Sequence, residues 1–199
     1  MITRKEMTRM LLKEGLLSYL ANNSFESVTV TSLCKASGIT RSTFYLHYSN
    51  IMEIVDDLVD DAIAYSKPGM VDNNNLQTIA NTLSAASNSV SLREAYDSIF
   101  DRLPLCQRII RHKKYLPLFL DEQISEYVLQ RIIGREKDRQ GLVIAESLGI
   151  SFDVGVSVFV FLVHGLYAVN KQYKWSQTDE WLEAQKIIFE LVYRGLQRR

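Results

Sequence analysis

Proline and glycine are scarce in this chain, with three and nine in 199 residues. So few breakers exclude a turn-dense β fold and favour long uninterrupted helices. Cysteine is rarer still: Cys34 and Cys106 stand far apart and in no metal or redox spacing. That excludes a disulfide framework and leads us to expect free thiols in a reducing cytoplasm. Charge of one sign is also missing, since 23 Lys/Arg balance 23 Asp/Glu, so the chain is not basic throughout. Met1 to Lys13 carries charges along its length, which does not fit a signal peptide. The one segment that could pass for a membrane span is "VGVSVFVFLVHGLYAV", Val154 to Val169. It is shorter than the ~20 residues a bilayer requires, and Asp153 and His164 flank or interrupt it. A buried core helix, with no membrane partner, is the expectation.

Signatures of catalysis are lacking too. There is no G-x-S-x-G, H-E-x-x-H, G-x-x-x-x-G-K-[ST] or G-x-G-x-x-G, so nothing recommends an enzyme or a cofactor. His47, His112 and His164 offer no pair at ligand spacing and no adjacent carboxylate or thiol, so no metal site is expected.

What remains is 47% apolar and 23% charged residues, the composition of a globular protein with a real core. We read it as all-α. Helices are predicted over about Thr3–Asn22 (with Met10, Leu11, Leu17 and Leu20 at helical spacing), Val30–Ala36, Arg41–His47 and Ile51–Ser66. Further helices are predicted near Leu76–Ser89, Leu92–Leu103, Leu105–His112, Pro117 to Gln140-Gly141, Ser151–Tyr173 and Asp179–Gln197. "KPGMVDNNN", Lys67 to Asn75, is the clearest linker. The expected division is an N-terminal three-helix domain over 1–50, a connecting helix over 51–67, and a larger helical domain over 68–199.

Charge is uneven along the chain. Met1 to Asn50 holds six Lys/Arg (Arg4, Lys5, Arg9, Lys13, Lys35, Arg41) against three acids, and the acidic run Glu53, Asp56, Asp57, Asp60, Asp61 follows. A mildly basic end suits local contact with a polyanion, and the acidic run reads as an exposed face. Within the basic end lies "GITRSTFYLHYSN", Gly38 to Asn50. Thr29 and Thr40 look like N-caps, Gly38 suits a turn that a Cβ would obstruct, and Leu33, Ile39 and Phe44 can point inward. This is the order of a helix-turn-helix, in which one helix braces across a nucleic-acid backbone and the next enters the major groove. Arg41, Ser42 and Thr43 then face base edges, and Thr29, Thr40, Tyr45 and His47 suit phosphate oxygens. Of the two tyrosines, Tyr48 is expected to pack and Tyr45 to make contacts.

Here the chain resembles the TetR family of bacterial transcription regulators. The likeness runs over "VTVTSLCKASGITRSTFYLHYSNIMEI", Val28 to Ile54, on a pattern of the type T-V-x-x-I-A-x-x-A-G-[VI]-[ST]-x-x-x-[LF]-Y-x-[HY]-F-x-[SDN]-K-x-x-[LI]. Thr29, Val30, Ala36, Gly38, Ile39, Thr40, Thr43, Phe44, Tyr45, His47, Tyr48, Asn50 and Ile54 all fall on it. The chain departs at Ile51, where family members usually carry lysine, and at Cys34 and Ser24.

The resemblance implies a DNA-binding regulator, more often a repressor, whose last two long helices pair with a second copy so that the dimer spans a palindromic operator. It also implies an all-helical core open to a small-molecule effector. On that basis Val158, Leu162, Trp181, Ile188 and Leu191 are candidates for the homodimer interface, and Tyr96, Phe100, Tyr127, Phe159 and His164 for a ligand pocket. Ile51 motivates a second expectation: an interaction protein of the same fold that binds a protein partner through its core and DNA only weakly.

Overall fold

The computed structural model describes residues 3–65, 75–86, 91–103, 107–108 and 113–197. Among these residues all regular structure is helical, with ten α-helices, two 3-10 turns and no strand. The protein is all-α. The expected linker Lys67 to Asn75, except for Asn75, which opens a helix, lies outside the described residues, as do Cys106, His112 and most of the helix expected over 105–112.

Contacts group the chain into two units, one formed by residues 1–66 with 112–134 and the other by 67–111 with 135–199. In this grouping residues 112–134 gather with the N-terminal helices.

In the first unit, α1 (Arg4–Leu20) opens on a capping box, with the Glu6 amide donating to Thr3 Oγ1 at 3.2 Å and the Thr3 amide to Glu6 Oε2 at 2.7 Å. Its buried stripe is Leu12, Leu16, Leu17 and Leu20; Met10 and Leu11, expected inward, are exposed. A 3-10 turn at Phe25–Ser27 leads to α2 (Val30–Ser37), α3 (Arg41–Tyr45) and α4 (Ile51–Tyr65). Asn50 starts α4 by accepting from the Glu53 amide at 3.1 Å, while Glu53 returns a carboxylate to the Ser49 amide at 2.8 Å. Ile54, Val55, Leu58, Val59, Ala62 and Ile63 give α4 its buried face.

The helix expected from Pro117 to Gly141 is two helices, α7 (Leu116–Leu120) and α8 (Ser125–Leu148). Asp121 makes the break. Its Oδ1 accepts from the Gln123 and Ile124 amides at 2.9 and 3.2 Å, and its Oδ2 from the Phe25 amide at 2.7 Å. Nor does Gly141 end α8, which runs on to a left-handed stop at Gly149, φ +63°.

The second unit contains α5 (Asn75–Ser84), α6 (Leu92–Ser98), the 3-10 turn Phe100–Arg102, the latter part of α8, α9 (Phe152–Gln172) and α10 (Asp179–Gln197). Two glycines explain how closely α8 and α9 approach. A Cβ on Gly141 would meet the Val156 backbone at 3.0 Å, and one on Gly155 would meet the Gly141 carbonyl and the Ala145 amide nitrogen. Trp181 is fully buried, its ring edge-on to Tyr96 at 5.2 Å and its indole N–H donating to Asn170 Oδ1 at 2.9 Å. A buried polar chain continues from the Tyr96 hydroxyl to Gln107 at 3.2 Å and from Gln107 to Gln185 at 3.0 Å.

At 21 residues, α9 is long and apolar enough to cross a membrane, so the length argument made from the sequence does not hold for the folded helix. Leu162, Val163, Leu166, Tyr167 and Asn170 form its buried side.

Candidate nucleic-acid interface

The segment from Thr29 to Tyr48 is built by local chemistry. Thr29 caps α2 reciprocally with Ser32: the Ser32 amide donates to Thr29 Oγ1 at 3.0 Å and the Thr29 amide to Ser32 Oγ at 2.9 Å. The helix ends at Gly38, whose φ of +66° and ψ of +25° are left-handed. The Ile39 amide then closes onto the Cys34 carbonyl at 3.0 Å. Thr40 restarts the chain as N-cap of α3, accepting from the Thr43 amide at 3.2 Å.

Two aromatics hold this segment down. Phe44 is fully buried and Tyr48 nearly so, with their rings 6.3 Å apart, and Leu33 of α2 is fully buried too. Tyr48 reaches further. Its hydroxyl donates to Asp57 Oδ2 on α4, and Arg9 on α1 donates to both, with its guanidinium 4.9 Å from the Tyr48 ring centre. Burial, then the hydrogen bond to Asp57, pushes the Tyr48 hydroxyl well above its ordinary value. The hydrogen bond that Arg9 donates to Asp57 outweighs burial and raises the Arg9 guanidinium.

Glu53 of the acidic run is exposed as expected, but Asp56, Asp57 and Asp61 are paired with side chains of other helices. Asp57 holds Arg9 and Asp61 holds Lys13. Asp56 accepts from the Tyr127 hydroxyl at 2.7 Å and lies 3.1 Å from Arg131 Nε. The cause is distance in sequence: the partners come from α1 and α8. This pairing also removes Arg9 and Lys13 from the basic surface, where Arg4, Lys5, Lys35 and Arg41 remain exposed.

The seven residues expected to touch DNA fall into three groups. Arg41, Ser42 and Tyr45 are exposed together on α3, Arg41 reaching back to Thr31 Oγ1 at 3.4 Å. Thr29 and Thr40 are exposed, but their hydroxyls are engaged in the caps. Thr43 and His47 are half-buried: Thr43 Oγ1 lies 2.8 Å from Thr40 Oγ1, and His47 Nδ1 is enclosed without a hydrogen-bond partner. As expected, Tyr48 packs and Tyr45 is the exposed tyrosine. Leu46, which sequence reasoning passed over, is 81% exposed at the end of α3. Its place four residues after Ser42 was the available signal.

No protein-family model matches the chain, and no curated protein matches it either.

The residues expected elsewhere are less concentrated. Tyr127 belongs to the first unit and Tyr96, Phe100, Phe159 and His164 to the second. Tyr96 is buried against Trp181, Tyr127 is exposed and bonded to Asp56, and Phe159 and His164 are half-buried. A groove of about 560 Å³ in the first unit is lined instead by Glu6, Met10, Lys13, Glu14, Leu58, Asp61 and Lys114. Of the five residues expected at a pairing face, Trp181 and Leu162 are buried within the single chain. For Trp181 the reason is the Asn170 acceptor, which its N–H requires once it is removed from water. Val158 and Ile188 are half-buried, and Leu191 is 67% exposed; Phe161 and Ile187 are exposed on the same two helices. Among the described residues no three His, Cys, Asp or Glu side chains gather as a metal site.

Proposed function

We propose that this chain is a DNA-binding transcription regulator of TetR type. Its α2 and α3 act as a helix-turn-helix, with α3 as the recognition helix. One observation carries the proposal: Phe44 anchors α3 inward while Arg41, Ser42 and Tyr45 stand exposed together beyond the left-handed Gly38 turn. Arginine supplies a donor fork suited to guanine, serine reaches bases or phosphates, and the tyrosine hydroxyl suits phosphate oxygens.

A palindromic operator asks for two such helices related by a two-fold. The exposed Phe161, Ile187 and Leu191 on α9 and α10 support pairing of those helices in a homodimer. The protein would act in the cytoplasm as a ligand-responsive repressor, with no cofactor. A small-molecule effector would release the operator through unequal affinity for the DNA-bound and free states.

The test is selection of palindromic sites from randomised duplex DNA, followed by gel-shift titration. Arg41→Ala should cost roughly 1–3 kcal/mol at the selected site and relax base preference there. Unchanged affinity overturns the assignment. A second reading, an interaction protein with weak DNA binding, draws on Ile51, half-buried where the resemblance has a phosphate-binding lysine. Salt separates the two. A grip on several phosphates weakens steeply as salt rises, whereas a flat response favours the protein partner.

A further inference from the structure

Leu46 is the most exposed large apolar side chain among the described residues, at 81%. Its position on the outer surface is not accidental in helical terms. Each residue turns a helix by about 100°, so positions two before and two after an inward residue both project about 160° away from it. The inward residue is Phe44, fully buried, and those two positions are Ser42 and Leu46. They form the outermost ridge of α3 and the residue that caps it, and Leu46 keeps right-handed backbone angles of φ −74° and ψ −17°. Arg41 and Tyr45 lie together along one side of the ridge, both exposed.

Water gains nothing from an isobutyl group at the tip of a polar, cationic ridge, so its chemistry points to what the ridge meets. The apolar group that a major groove presents between hydrogen-bonding edges is the C5-methyl of thymine. Resting on the DNA-binding reading above, we propose that Leu46 is a specificity residue that packs on the C5-methyl of a thymine in each half-site. It would select thymine by shape and desolvation, beside the hydrogen bonds of Arg41. Burying one methyl group from water is worth about 0.8 kcal/mol, or about fourfold in affinity.

The experiment uses the full-length protein and its selected operator, with each thymine of a half-site replaced in turn by deoxyuridine, which lacks only that methyl. Wild type should lose about fourfold at one symmetry-related thymine position. Leu46→Ala should bind the thymine operator more weakly and lose nothing further at that position, while Leu46→Met keeps the sensitivity. Circular dichroism checks that both variants retain the fold. If no thymine position is sensitive in wild type, or if Leu46→Ala keeps the full deoxyuridine penalty, the inference is overturned while DNA binding stands. If wild type shows neither salt-dependent DNA binding nor a response to Arg41→Ala, the DNA-binding reading itself falls, and this inference with it.

Discussion

The Tyr48 hydroxyl donates to Asp57 Oδ2 at 2.6 Å, and the same oxygen accepts from Arg9 Nε at 3.1 Å. One carboxylate oxygen thereby ties the end of the α2–α3 segment to both α1 and α4. Tyr48→Phe keeps the ring against Phe44 and removes only the hydroxyl. Stability should fall by about 1–3 kcal/mol, as expected for a part-buried bond to a charged group. Urea unfolding reads this as a lower midpoint at unchanged slope; an unmoved midpoint would mean that Arg9 alone holds the carboxylate.

The same three groups set a pH window. Burial acts first on Asp57 and would raise it, but hydrogen bonds from Tyr48 and Arg9 and the charges of Arg9 and Lys13 hold it below its ordinary 3.8. A carboxyl depressed in the folded state stabilises fully above its unfolded value and loses that contribution as pH falls through its folded value. Tyr48 behaves oppositely. Raised above its ordinary 10.0, chiefly by burial and by Asp57, it stabilises below that value and loses the contribution as pH rises beyond it. Urea midpoints should therefore drop on the acid side of 3.8 and on the alkaline side of 10.0. Tyr48→Phe should shrink the alkaline limb, leaving the share of Tyr115 and Tyr127, which are also raised.

Gly38→Ala isolates a backbone effect. At φ +66°, with nothing within 4 Å of an added Cβ, the substitution meets no neighbour and strains only the left-handed turn. The expected loss is about 1–2 kcal/mol, and Gly38→Asn should lose less because asparagine tolerates that region. Thermal melts of the two variants check the order.

Gly155→Ala tests the opposite mechanism. Its Cβ would meet the Gly141 carbonyl and the Ala145 amide nitrogen, which belong to backbone and cannot swing aside. Forcing α8 and α9 apart should cost about 1–3 kcal/mol. Gly134→Ala on the exposed side of α8 meets nothing within 4 Å and should instead stabilise by about 0.5–1 kcal/mol. Equal melting shifts for the two would refute the packing argument.

Where a rule is local, the chain is legible. Thr29, Gly38, Thr40 and Asn50 mark the starts and the turn of α2, α3 and α4 because each cap closes within four residues. Where the partner is remote, the same reading goes astray. Asp56, Asp57 and Asp61 of α4 look solvent-facing until Arg9, Lys13 and Arg131 arrive from other helices. Asp121 breaks a helix in concert with the amide of Phe25, nearly a hundred positions earlier in the chain. Gly141 reads as a stop, but packing against α9 gives it its purpose. Of the proposed contact surface, Arg41, Ser42 and Tyr45 were legible from helical direction; Leu46 needed its exposure to be seen.

The first unit is not a detachable cassette, because residues 112–134 complete it. Grafted onto another protein after residue 66, its helices would leave Asp56 without Tyr127 and Arg131, Glu14 without Lys114, and the Phe25 amide without Asp121. A chimera therefore has to transplant two strings of sequence rather than one, and shuffling by simple end-to-end fusion would separate this head from the parts that finish it.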